Sequence, residues 1–265
     1  MNLLMLLFLI FFTSFSFSSL IFSLNFSFAS VSEYQLQLRW GTAGTENGQF
    51  MVPHSMAFDS EGNIYVTDVN NHRIQKFTSD GEFITKWGSE GNGDGEFSSP
   101  EGIDVDSIGN VYVADTGNSR IQKFTSDGEF ITKWGSEGNG DGEFSSHAHG
   151  VTKDSFDNFY ITDRFNHNVQ KFTSDGEFIT KWGSEGNGDG QFGLPLGIGS
   201  DAKGNIFIID QASSSIPQFS NEGQFLNKII FNFDKLEDIE IDSNDDIYVT
   251  DRNKNEILKF SQIIN

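Results

Sequence analysis

The chain of 265 residues contains no cysteine. That excludes disulfides, thiolate metal centres and a thiol nucleophile, so stability has to come from packing. Basic residues are scarce as well, 17 against 38 acidic ones, for a formal net charge of −21. Such a charge repels phosphate backbones, so nucleic acid is not an expected partner, whereas attraction for cations is. Residues 1–29 lack charged side chains altogether and are dominated by Leu, Phe and Ile. Leu3–Phe12 reads as the apolar core of a signal peptide, with Ser27-Phe28-Ala29 as a small-residue cleavage site. No Lys or Arg precedes that core and Leu20–Phe28 prolongs the apolar stretch, so an uncleaved N-terminal membrane anchor is the alternative. Both readings predict export, with the product secreted or anchored to the outer face of the cell membrane. Residues 1–29, if uncleaved, would be its only membrane contact, and residues 30–265 would form one large domain.

That domain is repetitive. The sequence of residues 121–144, IQKFTSDGEFITKWGSEGNGDGEF, stands unchanged at 74–97 and with two substitutions at 169–192. Trp40, Trp87, Trp134 and Trp182 recur at intervals of 47, 47 and 48 residues. A period of this length rich in strand formers predicts one small sheet per repeat, arranged radially. In the second repeat, residues 102–106, 111–114, 120–125 and 129–134 read as four antiparallel strands separated by turn sequences such as Ser126-Asp127-Gly128. The second strands end on Asp68, Asp115, Asp163, Asp210 and Asp251, and the third strands carry Phe77, Phe124, Phe172, Phe219 and Phe260. Five repeats are counted, the fifth ending after its third strand. Its fourth strand is expected at the other end of the chain, where Tyr34–Trp40 matches Glu82–Trp87 in pattern. The prediction is an all-β fold: a five-bladed β-propeller of four-stranded antiparallel blades, the ring closed by N-terminal strand 34–40.

Gly62-Asn-Ile-Tyr-Val-Thr-Asp-Val-Asn-Asn-His-Arg-Ile-Gln-Lys-Phe77 and its counterpart Gly109–Phe124 resemble NHL repeats. The resemblance extends over residues 34–260 and implies a propeller, usually of six blades, that serves as an interaction module. Related propellers include an amidating lyase and gluconolactonase-like hydrolases, which use a metal on the central axis. Tripartite-motif relatives bind RNA, but their cysteine-rich RING domain has no counterpart here.

Two sets of residues carry the candidate chemistry. Aligned on the residue before Gly102, the innermost strands present His54, Glu101, His149, Leu196 and Glu237, which should surround the channel mouth. Two imidazoles and two carboxylates on one axis suit a divalent metal such as zinc or manganese. His147, beside a one-residue insertion in the third repeat, is a further candidate. A hydrated, inert polar rim is the competing reading, and Leu196 speaks for it. The second set lies in the inter-blade loops: Glu90 and Asp94, Glu137 and Asp141, Glu185 and Asp189. Oxygen donors alternating with glycine suit Ca2+; solvated blade crossings are the alternative. The aspartates ending the second strands are expected to accept hydrogen bonds within their own turns. The leading functional expectation is a scaffold binding a protein, peptide or glycan, and the other is a metal-dependent lyase or lactone hydrolase at the channel mouth. Whether the chain is an enzyme stays open.

Overall fold

The computed structural model describes residues 39–230, 235–242, 245–251 and 256–260. A short parallel pair, β1 (Thr42–Ala43) and β2 (Gln49–Phe50), precedes the first blade. Blade I comprises β3 (Pro53–Phe58), β4 (Ile64–Asp68), β5 (Arg73–Phe77) and β6 (Phe83–Trp87). Blade II comprises β7 (Pro100–Val105), β8 (Val111–Asp115), β9 (Arg120–Phe124) and β10 (Phe130–Trp134). Blade III holds β11 (Ala148–Lys153), β12 (Phe159–Asp163), β13 (Asn168–Phe172) and β14 (Phe178–Trp182). Blade IV holds β15 (Pro195–Ser200), β16 (Ile206–Asp210), β17 (Ser215–Phe219) and β18 (Phe225–Ile230). Blade V shows β19 (Leu236–Ile241), β20 (Ile247–Asp251) and β21 (Glu256–Phe260). Every blade is an antiparallel meander in chain order. The expected closure strand 34–40 lies, apart from Arg39 and Trp40, outside the described residues.

The strand sequences follow from this layering. The second strands, with runs such as VYVAD and FYITD, are buried at all five positions in blades I to IV. Neighbouring blades cover both faces there, so β-branched and aromatic residues succeed without alternation. The outer strands read FITKW and alternate between partly buried and exposed, as expected with one face in water. In blades I to III the outer strand ends on a tryptophan that packs on the next blade. Trp87 stands 5.8 Å from Phe124, Trp134 6.0 Å from Phe172 and Trp182 5.8 Å from Phe219. Trp40 makes the same contact with Phe77, at 6.1 Å. Gly128, at φ +89°, lies where a Cβ would come 2.5 Å from the Trp87 ring, so both its conformation and its bareness are required.

The innermost strands pack backbone against backbone. A Cβ on Gly102 would overlap the His149 carbonyl oxygen, and one on Gly197 would come 2.6 Å from that of Glu237. Thr67 and Thr162 cement these contacts by donating to the carbonyls of Glu101 (2.9 Å) and Leu196 (2.6 Å) in the following blade. The junction from blade V to blade I differs. Asp238 takes the glycine position, and its carboxylate accepts a long hydrogen bond (3.5 Å) from Ser55 of blade I. Met56 and Phe58 of β3 are 51% and 60% exposed, where Ile103 and Val105 of β7 are 2% and 3% exposed. A cavity of about 430 Å³ opens there, lined by Phe58, Asp104, Glu240, Ile241 and Tyr248 among others. The ring is therefore packed tightly from blade I to blade V and loosely at its last junction.

Candidate functional site at the channel mouth

The loops between blades and the turns after the second strands meet on one face, as the repeat geometry requires. Asp115 organises this face in blade II. Its carboxylate accepts from Ser98 N–H (2.7 Å), Asn118 Nδ2 (2.9 Å), Arg120 Nε (2.6 Å) and Gln122 Nε2 (2.9 Å). Arg120 then donates to the carbonyls of Asn92, Gly93 and Glu96, locking the inter-blade loop to the blade that follows. Asp68 repeats the pattern with Met51 N–H, Asn71 and Arg73. Asn71, Asn118 and Asn166 complete the turns of Asp68, Asp115 and Asp163 as expected, and the entering loop is a further partner of Asp68 and Asp115 that the sequence did not indicate. Their backbone partner is the loop entering the blade, because that loop has no neighbouring strand to pair with and its N–H groups need acceptors.

The inter-blade loops are held by further contacts of their own. Glu90, Glu137 and Glu185 form isolated backbone bridges to Phe97, Phe144 and Phe192. Asp94 pairs with Lys133 at 2.7 Å and Asp141 with Lys181 at 2.9 Å. Glu96 and Glu143 turn back to accept the N–H groups of Gly93 and Gly140. Neither these residues nor Asp189 form a group of three or more metal-ligating side chains among the described residues.

The channel-mouth residues do converge. His54, His149 and Glu237 present ligand atoms that all lie within 4.8 Å of one another. The two rings stand edge to face at 5.1 Å, and Glu101 Oε2 is 3.7 Å from His149 Nε2. Each of the four is the second residue of its innermost strand, so the shared register of the blades aims them at one axis. Leu196, the blade IV counterpart, is buried among apolar residues. His149 is only 4% exposed; burial first, then the charges of His54, Arg164 and His147, holds it well below the ordinary histidine range, in the neutral form that ligates metals. Burial, opposed by Arg164 and reinforced by Glu237, pushes Glu101 up to about 7. Deeper in the channel burial raises Asp104 to about 7 and Asp238 to about 6.

The donor set fits a divalent cation in kind: two imidazoles, one carboxylate and a second carboxylate in reserve. Four donors at about 2.1 Å from a tetrahedral ion stand about 3.4 Å apart, so the trio must draw inward by about an ångström to close on it. Sequence reasoning missed Arg164. In the turn after the second strand, Val69, Thr116 and Gln211 hold its place in blades I, II and IV, while Asn168 takes the slot of Arg73 and Arg120 in blade III. The fifth repeat shares this exchange, with Arg252 after Asp251 and Glu256 in the later slot, so the sequence alone did not single out Arg164.

These features define a radial β-propeller with a polar site at its axis. A family model for the NHL repeat matches residues 50–77 and 97–124, and one described as a six-bladed β-propeller matches residues 150–235. The chain therefore carries NHL repeats at those positions and folds as a β-propeller, with five blades among its described residues. Over 45 residues it is 44% identical to the B-box type zinc finger protein ncl-1 of Caenorhabditis elegans, and 42% identical to the protein brain tumor of Drosophila melanogaster. Those matches span 17% of this chain but 5% and 4% of the relatives. Among solved structures, virginiamycin B lyase from Staphylococcus aureus superposes with TM-score 0.58 at 18% identity, covering 79% of this chain and 70% of the lyase. A gluconolactonase from Xanthomonas campestris gives 0.62 at 12% identity, covering 81% and 74%. At such identities the likeness establishes the fold alone.

Proposed function

We propose that the protein is a ligand-binding propeller whose site is the channel mouth, with a divalent cation held by His54, His149 and Glu237. The supporting observation is the convergence of these side chains from three blades, with a buried, neutral histidine at its centre. Zinc or manganese suits the donors, while the inter-blade loops remain the place for calcium. A bound cation would polarise a carbonyl or acid oxygen of the ligand. Export through residues 1–29 and a protein, peptide or glycan partner for the acidic face belong to the same reading.

A metal-dependent lyase or lactone hydrolase is the second reading, and Glu101 favours it. A carboxyl held to about 7, within 3.7 Å of His149, is matched to proton transfer near neutrality. Metal analysis of the full chain, with and without His54 and His149, tests the shared premise. Turnover of lactones that vanishes in Glu101→Gln while metal content holds would favour the enzyme.

A further inference from the structure

We infer that Arg164 is the anchor for a carboxylate group of the ligand at the channel mouth. The first observation is a contrast between arginines. Arg73 and Arg120 each place Nε on an aspartate and their terminal nitrogens on loop carbonyls. Arg164 Nε is buried and meets no acceptor among the described residues. An unmatched buried donor on a cation costs free energy that a ligand acceptor would restore.

Arg164 belongs to the mouth. Its N–H donates to the His147 carbonyl at 3.1 Å, tying its turn to the inserted loop of blade III. Its charge acts on Glu101, His147 and His149 together. Glu101 Oε2, His147 Nδ1 and His149 Nδ1 are likewise buried and unmatched among the described residues, and His149 is more than nine-tenths buried. Arg164 Nε–H and His147 Nδ1–H can each donate to one oxygen of a carboxylate, and this leaves His149 and Glu101 toward the axis. Phe165, half exposed and 4.5 Å from His147, offers an apolar wall beside them.

The Arg164 guanidinium, acting beside Glu101 in a chain of net charge −21, favours a monoanion. A phosphate dianion meets more repulsion than one arginine offsets. The ligand class is therefore a small monocarboxylate with an apolar body, its far end reaching toward His54 and His149. This deepens the proposed channel-mouth site but does not require the metal.

The test is calorimetric titration of the full chain with phenylacetate, phenylacetamide and inorganic phosphate as probes, alongside metal content. Phenylacetate should bind at least about tenfold more tightly than its neutral amide. Arg164→Gln should abolish that preference while leaving metal content unchanged, and Arg164→Lys should restore part of it. Equal binding of acid and amide, no effect of Arg164→Gln, or tighter binding of phosphate would each overturn the assignment. Acid preference without metal upholds Arg164 and removes the metal; metal without acid preference does the reverse.

Discussion

Replacing Asp104 by Asn should stabilise the propeller at pH 8 and leave it unchanged at pH 4. In the unfolded chain this carboxyl ionises near 3.8, whereas in the folded channel burial holds its proton to about 7. Between those values the native state binds more protons than the unfolded one, so stability is full below about pH 4 and falls until about pH 7. Lys153 opposes the rise, and Asp157 adds to it, while Glu240 faces Asp104 across the channel. At full strength the displacement is worth about 4 kcal/mol. Water in the adjoining cavity screens the partly buried group, and about 2 kcal/mol is the working figure. Asn can still accept the 2.7 Å hydrogen bond from Val105 N–H, so the substitution removes charge and little else. Thermal unfolding of both proteins from pH 4 to pH 9 should show the variant about 4–8 °C more stable above pH 7, the gap closing toward pH 4. A gap of constant size at every pH, or a variant less stable at pH 8, would refute the reasoning.

Two further substitutions probe the packing of the ring. Gly102→Ala drives a Cβ into the backbone of blade III and should lower stability by about 1–3 kcal/mol or more, read as a fall in the urea midpoint. An unchanged midpoint would show that the inner strands are not in contact. Val105→Ser should cost about 2 kcal/mol and Phe58→Ser less than about 0.5, although they hold equivalent positions, because only Val105 is buried. Equal losses would mean that the last junction is as closed as the others.

The fold was legible because local and long-range signals agree: the period, the turns and the strand patterns all specify blades. Strand limits in blade II fall within two residues of those read from the sequence. The four channel-mouth residues could be found because one register governs every innermost strand, so alignment of repeats amounts to placement in space. Distance was the part that sequence could not supply. It joined His54, His149 and Glu237, set Glu101 beside His149, and placed Lys133 on Asp94 and Lys181 on Asp141. Asp104 and Asp238 stand in alignment columns as ordinary acidic residues, and only burial makes them unusual. The loose last junction left a trace, since Asp238 replaces the glycine found at 102, 150 and 197. Its consequence for Met56 and Phe58 required the packing.

The most direct measurement is elemental analysis of the full chain after loading with Zn2+ or Mn2+ and exhaustive dialysis, beside the His54→Ala/His149→Ala double variant. The channel-mouth site predicts about one divalent ion per wild-type chain and none in the double variant, with circular dichroism unchanged. Wild type without metal, or metal retained by the double variant, would contradict it.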